Sequence, residues 1–162
     1  MKTLIIYSTT YGFTEDCIND LQKQLNGETK AINIMKESGV DLQDFDKVVI
    51  GGSIYMGQVQ KQLKTFCEQN LDKLKQKKVA LFLCCGFVDN FEQNLQNNFP
   101  AKLINSAFAK QCFGGELRLD KMKFTHKMIT KMMKKMTAKD NKPEPVKISG
   151  NIKTLAEAVN KG

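Results

Sequence analysis

Four aliphatic hydroxyls and one glycine crowd the stretch Ser8-Thr9-Thr10-Tyr11-Gly12-Phe13-Thr14. An apolar run, Leu4-Ile5-Ile6-Tyr7, precedes it, and an amphipathic segment, Glu15 to Leu25, follows at once. A buried strand that breaks into small hydroxylated residues and then starts a helix is suited to holding an anion. The free backbone N–H groups of a helix N-terminus point at the ligand, and hydroxyls add donors without adding charge. The other reading is an ordinary strand-to-helix turn with Thr14 as its cap or first-turn residue. Two later stretches repeat the break from apolar strand to small residues. One is Gly51-Gly52-Ser53-Ile54-Tyr55-Met56-Gly57; the other is Cys84-Cys85-Gly86-Phe87.

These three stretches need a scaffold that brings them together. Lys2 to Tyr7, Val48 to Ile50 and Lys78 to Cys85 read as buried strands, and Lys30 to Ile34 as a strand nearer an edge. A fifth strand is expected around Gln111 to Phe113. Helices are expected over Thr14 to Leu25, closed by Asn26-Gly27, over Val59 to Leu74, over Phe91 to Phe99, stopped by Pro100, and over Ile152 to Val159. Met35 to Asp46 is a short helix or a loop, and Asn141 to Pro145 a loop. Strands alternating with helices predict an α/β fold with right-handed crossovers and a parallel sheet. Ligands of such sheets bind at the carboxyl ends of the strands, where the three stretches lie.

The 162 residues fit one domain, 1–162, able to bury roughly two-thirds of its unfolded surface. There is no signal peptide and no run of the ~20 apolar residues a membrane span requires, which points to the cytoplasm. Five cysteines without metal-ligand spacing suit reduced, buried thiols. Cys84-Cys85 is not a C-x-x-C motif and reads as packing at a strand end. His126 has no identifiable partner and reads as a surface residue. The net charge of +8 is concentrated, because residues 121 to 147 hold nine Lys against Asp140 and Glu144. Within that segment Met122, Ile129, Met132, Met133 and Met136 recur at helical spacing. Lys121 to Met136, in a basic Met-rich helical segment of about 121–137, is then either an amphipathic helix docked on the core or an interfacial segment for anionic lipid or an acidic partner. A nucleic-acid interface is not expected, since the segment has no Arg and no recognised binding motif.

Several ligands are excluded by motif. There is no G-x-x-x-x-G-K-[ST] and no G-x-G-x-x-G. Tyr7 to Thr10 lacks the acidic residues of a Mg²⁺-binding receiver, and Ser8 to Thr14 lacks the Cys and Arg of a cysteine phosphatase. A phosphomonoester held without metal or Lys remains. Tyr55, Phe87 and Phe91, beside the small Gly51, Gly52 and Gly86, would accept a flat heterocycle. Phosphate at one end and a planar ring at the other describes FMN.

The patterns Ser8 to Thr14 and Gly51 to Gly57 resemble the phosphate and isoalloxazine loops of the flavodoxins. The chain also resembles the menaquinone-dependent protoporphyrinogen oxidase (flavodoxin-domain) family, in Met1 to Ile5, in Val48-Val49-Ile50-Gly51 with Ser53-Ile54 and Gly57, in Gly114-Gly115-Glu116-Leu117-Arg118, and in the basic segment Lys127 to Met136. The resemblance implies a doubly wound five-stranded parallel sheet in the order 2-1-3-4-5, with helices on both faces. It implies FMN held by Ser8, Thr9, Thr10, Tyr11, Gly12, Phe13 and Thr14, and framed by Ser53, Ile54, Tyr55, Met56, Gly57, Cys85, Gly86 and Phe87. Tyr55 would stack on the flavin, and the Met56–Gly57 peptide would reorient towards it. The flavin would carry the chemistry, with no protein nucleophile and no metal. An oxidoreductase passing electrons from protoporphyrinogen to a quinone is the leading expectation, with heme biosynthesis as its setting. A soluble flavodoxin carrier serving a redox partner protein is the alternative, and a module that has lost FMN is a third. The basic segment adds the option of peripheral contact at the inner face of the membrane.

Overall fold

Strands that are apolar on both alternating faces must be covered on both sides, and the computed structural model shows how this is done. It describes residues 1–139 and 143–162; Asn141 and Lys142 of the expected 141–145 loop lie outside the described residues. Five strands, β1 (Lys2–Ser8), β2 (Glu28–Asn33), β3 (Lys47–Ser53), β4 (Lys78–Cys84) and β5 (Ala109–Cys112), form one sheet in the order β2-β1-β3-β4-β5. Every neighbouring pair is parallel. The order reverses between β1 and β3, which places a crevice at their carboxyl ends.

Helices α1 (Phe13–Gln22) and α7 (Ser149–Lys161) cover one face. Cys17, Ile18 and Leu21 of α1 and Ile152, Leu155 and Val159 of α7 pack there on Ile5, Val49 and Phe82. The other face is covered by α2 (Lys61–Gln69), α3 (Leu71–Leu74), α4 (Phe91–Asn98) and α5 (Ala101–Ser106), through Leu63, Phe66, Leu74, Leu95 and Leu103. Each fully buried Leu or Ile is worth about 1.5–3 kcal/mol relative to an exposed one.

The single helix expected over Val59 to Leu74 is two helices. Gln60 is still extended, and Asn70, at φ −108°, breaks the run while its side-chain amide donates to the Phe66 carbonyl at 3.0 Å. The helix from Phe91 stops at Asn98 because Phe99, before Pro100, is extended. Helix α5, which follows Pro100, is too short to show a hydrophobic period and was not anticipated.

Helix α6 (Phe124–Lys139) carries the basic, Met-rich segment. Of the five apolar residues at helical spacing, which fitted either a core-docked or an interfacial helix, three are exposed: Met132 by 63%, Met133 by 42% and Met136 by 65%. Met128, Met132 and Met136 are spaced i, i+4, i+8, so they form one outward stripe, and Phe124 is exposed beside them. The chain then returns along β5. Gly114 bridges Lys147, Gly115 N donates to the Val146 carbonyl at 3.2 Å, and Ile148 N to the Phe113 carbonyl at 2.9 Å.

Candidate functional site

The first loop is a tightly bonded turn. Ser8 is fully buried at the end of β1, and its hydroxyl donates to Gln60 Oε1 at 2.6 Å. The Gly12 amide donates to Thr9 Oγ1 at 3.1 Å, closing the loop. Gly12 has φ +86°, a conformation glycine adopts at no steric cost, and α1 starts at the next residue. No side chain caps the N-terminus of α1. The hydroxyl of Thr14, in that first turn, is buried and meets no nitrogen or oxygen partner among the described residues. Buried hydroxyls are normally paired, so this one, which lies against the Cys84 thiol, is an exception.

The second loop is joined to the first by Gln60. Its amide nitrogen donates to Thr10 Oγ1 at 2.8 Å and to Ser53 Oγ at 3.1 Å, while its oxygen receives Ser8. One side chain thus ties three hydroxyls from the ends of β1 and β3. Beyond Ser53 the chain makes a two-residue turn, with Tyr55 N donating to Gln58 O at 2.9 Å and Gln58 N to Tyr55 O at 3.1 Å. Met56 (φ 50°) and Gly57 (φ 75°) are both left-handed, as a type I′ turn requires. Left-handed backbone at the non-glycine Met56 costs of order 1 kcal/mol. Asn98 holds the turn, accepting from Val59 N at 2.9 Å and donating to Gly57 O at 2.9 Å.

One cavity of about 480 Å³ opens between these loops and the end of β4. Every residue of the expected site set lines it except Ser8 and Thr14, which are fully buried, and Gly12. Gly51 and Gly52 are also absent from the lining. A Cβ on Gly51 would come within 2.1 Å of the Phe82 carbonyl, and one on Gly52 within 2.2 Å of Ser8 Oγ. Their smallness serves close strand packing rather than contact with a ring.

Arg118 and His126 reach the site from far along the chain. Arg118, only 16% exposed, pairs with Asp16 at 2.5 Å and Glu116 at 2.6 Å, and Nη1 donates to the Tyr11 carbonyl at 3.5 Å. Its bond to Asp16 raises its pKa further, and the two carboxylates neutralise it beside the anion loop. His126, expected to be without a partner, is instead part of the wall. Its Nδ1 hydrogen-bonds the Tyr11 hydroxyl, and its ring stacks on Tyr55 with centroids 4.3 Å apart and planes at 28°. Burial raises the Tyr55 pKa, and its hydroxyl has no hydrogen-bond partner among the described residues. Met122, Thr130, Met133 and Lys134 complete the side formed by α6 and its approach. Gln60 and His126 carried no motif, although Gln60 stands at the start of a helix; Arg118, the chain's one arginine, stood out only as the end of the Gly114 to Arg118 stretch.

Neutral donors, an uncapped helix start and an apolar cavity with a tyrosine in its wall fit a phosphate ester bearing a planar ring. Among the described residues no group of acidic, His and Cys side chains could hold a metal ion. No described helix is long and apolar enough to cross a membrane.

Comparison with known proteins agrees with this geometry. A family model described as the flavodoxin domain matches residues 4–144. The chain is 26% identical over 146 residues to a protoporphyrinogen IX dehydrogenase [quinone] of Leishmania major, covering 84% of this chain and 63% of that one. It therefore spans under two-thirds of that relative. Among solved structures, a flavodoxin of Streptococcus pneumoniae TIGR4 matches with a TM-score of 0.57 and 12% identity, over 99% of each chain. The flavodiiron core of Flv1 from Synechocystis sp. PCC6803 matches at 0.56 and 14%, over 99% of this chain and 36% of that one. These two likenesses show the fold.

Proposed function

This chain belongs to the flavodoxin-domain family, and from that footing we propose that it binds FMN and works as an oxidoreductase, drawing electrons from a protoporphyrinogen-like substrate and passing them to a quinone. The observation that carries the cofactor is the joining of the neutral hydroxyl loop to the uncapped start of α1 at the edge of the cavity. Thr9, Thr10 and the first-turn amides of α1 would take the phosphate. Tyr55, Gly86 and Phe87 would border the ring. When bound, the flavin supplies the electron transfer, and the protein supplies binding, orientation and exclusion of water. The Met56–Gly57 peptide sits in a strained turn gripped by Asn98, and Gly57 is the residue in it that changes φ at low cost.

The substrate rests on the likeness to the Leishmania dehydrogenase and on the basic helix. Lysines along α6 would meet the carboxylates of a tetrapyrrole, and the exposed Phe124, Met128, Met132 and Met136 beside them would rest on an anionic membrane that holds the quinone. The test is anaerobic oxidation of protoporphyrinogen with a menaquinone analogue by the FMN-loaded protein. Turnover well above that of free FMN is expected. A rate equal to that of free FMN removes the enzyme and leaves a carrier that serves a redox partner protein.

A further inference from the structure

Cys85 follows the end of β4 and Cys112 closes the neighbouring β5. Their sulfurs lie 3.2 Å apart. Carbon atoms in ordinary contact stand about 3.5–4.0 Å apart, and sulfur is the larger atom, so this is a hydrogen-bonded thiol pair rather than simple packing. All five cysteines are free and buried, so no bond yet joins the two. Their positions differ in one useful way: Cys85 is part of the cavity wall, and Cys112 sits directly behind it.

We propose that Cys85 and Cys112 form a redox-active dithiol in the wall of the cavity, which closes to a disulfide when a small hydroperoxide enters. The sequence reading of Cys84-Cys85 as packing missed this partner, because the pair spans 27 residues and two strands.

The chemistry balances with the peroxide as the only oxidant. As the Cys85 sulfur attacks a peroxide oxygen, its own proton goes to the departing oxygen. The S–O bond forms, the O–O bond breaks, and one water leaves. Cys112, giving up its own proton, then attacks Cys85 Sγ; the S–S bond forms, the S–O bond breaks, and a second water leaves. Two thiols lose two electrons and two protons, and one peroxide becomes two waters. The hydrogen bond between them holds the Cys112 thiol below its ordinary value, and the same bond together with burial holds Cys85 up. Cys84, also in the wall, is pushed well above the ordinary thiol value by burial and stays protonated. Closing the bond draws the sulfurs together by about 1 Å, to the usual disulfide length. That movement pulls on Gly86 and Phe87, next to Cys85.

The test uses the full chain, reduced, freed of reductant and treated with a few equivalents of hydrogen peroxide. Free thiols counted after denaturation should fall from five to three, a tryptic digest should contain the Cys85–Cys112 cross-link, and a phosphine should restore all five. In Cys112→Ser the cross-link should vanish, and a sulfenic-acid trap should label Cys85. Persistence of all five thiols in the wild-type chain overturns the proposal. So does loss at Cys17, Cys67 or Cys84, or a bond between chains. The wild-type measurement decides even where the variant fails to fold, and no step in it depends on flavin.

Discussion

Across one cavity, the loops at the ends of β1 and β3 face helix α6, and the two sides are built differently. On the sheet side, Ser8, Thr10 and Ser53 are tied through Gln60, Gly12 is folded back on Thr9, and Asn98 clamps the Met56–Gly57 turn. On the α6 side, the contacts include the stack of His126 on Tyr55, its bond to Tyr11, and a Lys134–Glu144 pair at 2.5 Å. Most of that helix's large apolar side chains face outward. The contrast separates two tasks. A network bonded through one glutamine can hold a small anion in one place, because its donors do not reorganise. A helix whose apolar stripe is open can meet a larger partner and still cover the cavity.

Changing the sheet side should have the largest effects. Gly52→Val places a side chain inside the Ser8 hydroxyl, and overpacking of this kind costs about 3 kcal/mol or more, read as a lower urea midpoint. A loss below 1 kcal/mol would mean that the strand ends are looser than the distances state. Gln60→Ala removes three hydrogen bonds and strands Ser8 Oγ. It should cost about 2 kcal/mol of stability and weaken FMN binding about tenfold.

Changes to α6 should reverse the balance. His126→Ala should leave the urea midpoint almost unmoved while FMN binds about threefold tighter, because the Tyr55 face loses a stacked competitor. Weaker binding would instead make His126 a wall of the loaded site. Lys127→Glu with Lys131→Glu and Lys135→Glu should leave fold and FMN affinity intact and abolish sedimentation with anionic vesicles.

The division also explains what was legible in the sequence. The apolar runs of β1, β3 and β4 announce buried strands, and the hydroxyls, glycines and aromatics at their ends announce the loops, since both signals are local. Gln60, Asn98, Arg118 and His126 act on partners 41 to 115 residues away, and nothing in their neighbours encodes that reach. For α6, the spacing of Met and Lys gave an apolar stripe but not the direction it faces. Tertiary packing decided that: Met122 and Ile129 are half-buried, while Met132, Met133 and Met136 are exposed.

The smallest expected effect tests the return strand that anchors α6 to the body. Lys147 pairs with Asp20 of α1, which lowers the Asp20 pKa and raises that of Lys147. A depressed carboxylate contributes stability above its ordinary value of 3.8 and loses it as pH falls through the folded value. The pair is a third exposed, so the difference between wild type and Asp20→Asn should be about 0.5 kcal/mol at neutral pH. It should shrink in acid below 3.8, as followed by urea midpoints.

Everything on the sheet side is assigned to one ligand, and titration of the ligand-free chain with FMN tests that most directly. The expected result is stoichiometric quenching of flavin fluorescence, with a shifted visible band and a Kd of about 1 μM or tighter. Fluorescence that stays equal to that of free FMN, with protein in large excess, would contradict the assignment of the Ser8–Thr14 loop as a flavin-phosphate site.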